Sequence, residues 1–217
     1  MTNKNDTQQN SFISHLAELR SRLIKSFVFF LISFVICYFF SEEIYKFLVK
    51  PYSDAVIENN LDRRLIFTAL HEAFLTYLKV AFFGSLFITS PIFLSQIWKF
   101  IAPGLYTNEK KALLPYLVAT PILFIFGGLI VYYFIMPLAI KFFLGFETIK
   151  DTGTLAIQLE AKVNEYLSLI MRLIFAFGLS FQLPVVLSLL ARIGVVNAKY
   201  LKERRKYFVV IIFAVAA

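Results

Sequence analysis

Five apolar runs govern what this chain can become, and the first four are each long enough to cross a bilayer. They cover about 23–40, 73–98, 113–137, 166–191 and 207–217. A helix needs roughly 20 apolar residues to traverse a hydrocarbon core about 30 Å thick. Backbone amides and carbonyls find no water there, so each run is expected as a helix. The sequence is 59% hydrophobic and only 17% charged over 217 residues, with a mean hydropathy of +0.73. A soluble domain of this size cannot hide that much apolar surface. The fold class that follows is all-α, a polytopic helical membrane protein forming a single membrane domain over 1–217. The fifth run holds 11 residues, a reach of about 16 Å, and reads as a truncated span.

Between the runs lie loops of two kinds. Residues 1–22 are a polar lead-in, expected to be disordered over 1–11, with Ser14 as a helix cap. The stretches 41–72 and 138–165 mix acidic, basic and apolar positions, and the first suggests short interfacial helices. The stretches 99–112 and 192–206 are short and basic. Pro91, Pro115, Pro121 and Pro184 interrupt the runs and predict kinked, curved helices, while Gly84, Gly127 and Gly178 predict close helix packing.

Alternating the loops across a membrane separates the charge. One side collects 13 basic residues against 4 acidic ones, the other 7 basic against 10 acidic, with Lys79 and Arg172 left inside spans. Basic excess marks the cytoplasmic face, so the N-terminus and the loop at 99–112 are expected inside. That orientation puts two charged stretches on one side. His15-Leu16-Ala17-Glu18-Leu19-Arg20-Ser21-Arg22 leads into the first run. Phe100-Ile101-Ala102-Pro103-Gly104-Leu105-Tyr106-Thr107-Asn108-Glu109-Lys110 turns between the second and third. Each carries one carboxylate among cations, and together they can converge on a cationic peptide.

Three polar groups stand out in and beside the fourth run. Glu165 and Arg172 are seven residues apart, on one helix face. Either both meet a neighbouring helix or wet cavity, or Arg172 snorkels towards an interfacial Glu165. Gln182 cannot ionise and reads as a hydrogen-bonding group between helices. Enzyme chemistry finds no support: hydrolase and phosphate-loop motifs are missing, and no Asp lies within a span. His15, His71 and Cys37 do not make a metal set, so no cofactor is expected.

The motif His15-Leu16-x-Glu18-Leu19-Arg20-x-Arg22-Leu23 followed by Phe100-x-x-Pro103-Gly104-Leu105-Tyr106-x-x-Glu109-Lys110 resembles the TatC family, the core of the twin-arginine protein translocase. Pro91 with Gln96-x-Trp98, Phe177-Gly178-Leu179-x-Phe181-Gln182-Leu183-Pro184 and the basic run 201–207 support the resemblance in order and spacing along nearly the whole chain. It implies a curved bundle of six spans, of which four and part of a fifth are present here. It also implies a multi-pass protein of the bacterial inner membrane that binds Arg-Arg signal peptides and moves folded proteins with the proton-motive force. Glu18 and Glu109 are the implied signal-binding carboxylates, with Leu19, Arg20, Phe100, Pro103, Leu105 and Tyr106 around them. Arg20, Arg22, Lys99, Lys110 and Lys111 would position those carboxylates. Implied partners are small single-span TatA- and TatB-like subunits in a multimeric complex, and membrane lipid, but no nucleic acid. Gln182 stands where many relatives carry glutamate, and with Arg172 and Glu165 it forms the intramembrane polar set expected in partner docking. The rival readings are a secondary transporter or channel with Glu165, Arg172 and Gln182 in its pathway, and a structural membrane scaffold.

Overall fold

The computed structural model describes residues 4–58, 63–101, 110–147, 159–192, 202 and 204–216. These residues fold into α1 (Lys4–Phe39), α2 (Ser41–Glu58), α3 (Glu72–Ile101), α4 (Lys110–Ile130), a π-helical turn (Val131–Ile135), α5 (Met136–Leu144), α6 (Val163–Ser180), α7 (Leu183–Arg192) and α8 (Arg205–Ala216). Four stretches among them are long and apolar enough to cross a membrane: Ala17–Phe39, Glu72–Ile97, Pro115–Leu144 and Val163–Ala191.

Two elements differ from the sequence reading. α1 begins at Lys4, ten residues before Ser14. The polar lead-in holds no glycine or proline, and extending a formed helix costs far less than nucleating one. The segment after α1 is one 18-residue helix, α2, rather than several pieces. Its buried positions Leu48, Pro51, Tyr52, Ala55 and Val56 follow helical spacing and form one apolar face.

The prolines shape the bundle through the carbonyls they leave unbonded. Pro51 has no N–H for the carbonyl of Phe47, four residues back. The Tyr132 hydroxyl supplies the missing donor to that oxygen at 2.8 Å, and the two rings stack at 4.4 Å. Pro91 likewise frees the Phe87 carbonyl, which accepts from the Ser90 hydroxyl at 2.9 Å. Pro137 follows the π-helical turn, where Met136 N–H donates to Val131, five residues back. The wider turn relieves the clash a proline ring makes with a regular helix. Pro184 follows the break at Phe181 and Gln182 that separates α6 from α7.

Helix contact is closest where α4 crosses α6. A β-carbon on Gly127 would lie 2.8 Å from the Phe177 carbonyl oxygen, and one on Gly178 would lie 2.8 Å from the Phe124 ring. The glycines expected to allow close packing therefore bring the two backbones together. The largest buried cluster draws Leu48, Tyr52, Val80, Val131, Met136, Leu167 and Ile170 from α2, α3, the π-helical turn, α5 and α6. α1 lies against α3 through edge-on rings, Phe30 with Phe82 at 5.4 Å. Its remaining apolar surface stays open, with Phe27 60% and Ile32 56% exposed.

Candidate functional site

α1 and α3 run antiparallel, so the N-terminal part of α1 meets the C-terminal turns of α3. Glu18 and Arg22 stand one turn apart on α1, and the pairing is direct: Arg22 Nη2 donates to Glu18 Oε1 at 2.7 Å and Arg22 Nε to the same oxygen at 3.2 Å. The guanidinium also crosses to α3, where its Nη1 donates to Gln96 Oε1 at 3.0 Å. Arg22 thus clamps a carboxylate on one helix to an amide on the other. The Glu18 side chain keeps 39% of its surface open. Leu19 is half-buried and Arg20 is exposed. Phe100 lies one turn beyond Gln96 in the last turn of α3. Pro103, Leu105, Tyr106 and Glu109 lie outside the described residues. The structure therefore brings Glu18, Arg22 and the end of α3 together.

In the sequence Gln96 belongs to a motif with Trp98 and carries no mark of a site residue. Its bond to Arg22 joins residues 74 apart, and helical periodicity carries no signal for such a pairing.

The intramembrane polar set divides. Gln182 is buried at 5% exposure in the break between α6 and α7, and its Nε2 donates to the Thr120 carbonyl of α4 at 3.0 Å. It therefore ties two helices, while its Oε1 finds no partner among the described residues. Glu165 is exposed and stands 3.9 Å from Lys162. Arg172 is exposed as well and does not reach Glu165. Both line hollows on the side where α3 faces α6.

At the opposite end from Glu18, the chain is held more tightly. Arg63 grips Glu147 with two parallel bonds, Nε to Oε1 and Nη2 to Oε2, each 3.0 Å. Leu159 N–H adds a third bond to Glu147 Oε1 at 2.8 Å. The Arg63 hydrogen bond holds the Glu147 carboxyl below its ordinary range, against the opposing effect of burial. Ile66 and Lys162 pair as an isolated parallel bridge. The Glu72 carboxylate reaches back to the N–H groups of Thr68 and Ala69 at 2.6 and 3.2 Å, tying the segment before α3 to its first turn.

Four membrane-length apolar helices in one bundle define the class, a polytopic helical membrane protein. Comparison with known proteins narrows the class. The family described as Sec-independent protein translocase protein (TatC) matches residues 14–217. The TatC protein of Magnetococcus marinus is 45% identical over 97% of this chain and 74% of its own length. That of Rickettsia prowazekii is 44% identical over 95% and 80%, and that of Escherichia coli K12 33% identical over 97% and 77%. A crystal structure of the twin-arginine translocase receptor TatC superposes with a TM-score of 0.78 at 36% identity, covering 92% of this chain and 84% of the other. The chain belongs to the TatC family. It is a transport subunit of the Sec-independent protein translocase rather than an enzyme.

Proposed function

We propose that this chain binds Arg-Arg signal peptides at the α1–α3 end of the bundle. Glu18 and Glu109 supply the carboxylates, and Leu19, Arg20, Phe100, Pro103, Leu105 and Tyr106 surround them. The observation that carries the reading is the Arg22 clamp, which holds the Glu18 carboxylate at the junction of two helices while leaving it open to solvent. A guanidinium pairs with a carboxylate through two parallel bonds that an ammonium cannot reproduce, so twin arginine is preferred over twin lysine. An incoming arginine competes with Arg22 for Glu18, which makes the site an exchange of guanidinium partners and discourages single, loosely placed cations. The basic excess of this end supports a cytoplasmic side for it, with the chain in the inner membrane of a bacterium. TatA- and TatB-like single-span subunits complete a multimeric translocase driven by the proton-motive force, and Gln182 contributes to docking them.

Binding of a twin-Arg signal peptide to the detergent-solubilised protein tests this, with a twin-Lys peptide as control. Glu18→Ala and Glu109→Ala are each expected to weaken twin-Arg binding about tenfold, the loss of one charge-assisted interaction. Equal binding of the two peptides, or two silent substitutions, would refute the site.

A further inference from the structure

Three hollows follow one another along α1, α3 and α6. Nearest the α2 end, a cavity of about 680 Å³ is lined by His71, Glu72, Lys79, Phe82, Lys162 and Glu165, among others. It shares Lys79 and Phe82 with a second cavity of about 360 Å³, whose polar members are Lys79, Ser168 and Arg172. Phe82, Leu86 and Phe175 continue from there into an apolar groove of about 810 Å³ that runs towards the Glu18 end.

The middle cavity concentrates unbalanced positive charge. Arg172 sits nine residues into α6, about 13 Å along it, and Lys79 seven residues into α3, about 10 Å along it. Among the described residues neither forms an ion pair. Lys79 donates only to neutral groups there, Asn164 Oδ1 and Ser168 Oγ. The nearby carboxylates are already engaged, Glu72 on the amides of Thr68 and Ala69 and Glu165 beside Lys162. A cation at that depth in an apolar span is costly without a counter-charge. Helical side chains lean towards the N-terminus of their helix, so both cations point to the α2 end and its lipid interface.

We infer that Lys79 and Arg172 hold the phosphate of an anionic phospholipid from the leaflet at the α2 end, with its acyl chains lying along Phe82 and Leu86 into the apolar groove. The guanidinium matches two phosphate oxygens in the two-pronged manner, and the ammonium adds a point charge beside it. The continuity of the cationic cavity with an acyl-sized groove favours a lipid over a soluble phosphate or a carboxylate on a partner's helix. This site is independent of signal-peptide binding.

The test follows the thermal unfolding midpoint of the detergent-purified protein as dioleoylphosphatidylglycerol is titrated in. Uncharged dioleoylglycerol and soluble glycerol phosphate serve as separate controls. Phosphatidylglycerol is expected to raise the midpoint saturably while neither control does. Arg172→Gln, an exposed and unpaired position, should leave the unliganded midpoint unchanged and raise the half-saturating lipid concentration about tenfold, with Arg172→Lys intermediate. Native mass spectrometry should show the same ranking of retained lipid, which separates binding from folding effects. Wild-type behaviour of Arg172→Gln would overturn the site. So would glycerol phosphate alone reproducing the shift, or Arg172-dependent capture of a carboxylate-bearing membrane helix that phosphatidylglycerol does not displace.

Discussion

The two ends of the bundle are built differently. At the α2 end, a part-buried bidentate ion pair, an amide-capped carboxylate and a β-bridge lock the loops onto the helices, and two tyrosine hydroxyls hold α2. Tyr166 reaches the Leu48 carbonyl at 3.0 Å, so α2 is bolted to α6 as well as to the π-helical turn. At the Glu18 end, among the described residues, a guanidinium shared between two partners ties α1 to α3. Bonds on buried groups are expensive to break, whereas a partly exposed ion pair exchanges partners at little cost. One end is therefore a brace, and the other can trade a bond inside the protein for a bond to a ligand.

The largest effect should come from cutting the brace. Arg63→Ala leaves Glu147, which is 9% exposed, with only the Leu159 amide, and should destabilise the protein by about 2 kcal/mol in thermal or denaturant unfolding, between the cost for an exposed pair and that for a fully buried one. Because folding holds the Glu147 carboxyl low, its contribution is fully present above the unfolded carboxylate value of about 4.3. It is lost as pH falls through the lower folded value. Glu147→Gln should accordingly be less stable at neutral pH and flatter than wild type below about pH 4.3. A variant that retained the wild-type acid slope would show that the brace is not electrostatic.

A smaller effect sharpens the same contrast. Tyr132→Phe leaves the Phe47 carbonyl without the donor that Pro51 cannot supply, at a cost of about 1–3 kcal/mol. In a Pro51→Ala background the backbone N–H returns, and the same substitution should cost much less. A double-mutant cycle on unfolding stability measures the difference. Additive effects would mean that the hydroxyl does not compensate for the proline.

Much of this architecture was legible in the sequence because membrane spans are set by length and apolarity, which need no tertiary knowledge. The i, i+4 pairing of Glu18 with Arg22 and the close approach at Gly127 and Gly178 were also readable, since each follows from local geometry. The π-helical turn was not, because a proline announces disruption without saying how the helix absorbs it. Arg63 with Glu147 and Arg22 with Gln96 join residues 84 and 74 apart, and such pairs leave no periodic trace. Gln182 reads from the sequence as a hydrogen-bonding group between helices, but its partner, the Thr120 carbonyl, only folding reveals.

The most direct test of a braced end and an exchanging end is amide hydrogen exchange of the detergent-solubilised protein with and without a saturating twin-Arg peptide. The account predicts added protection in α1 around 17–26 and in the last turns of α3 around 93–101. The segments 63–71 and 159–166 should be slow and unchanged in both states. Peptide-dependent protection at those braced segments, with none around Glu18 and Gln96, would contradict it.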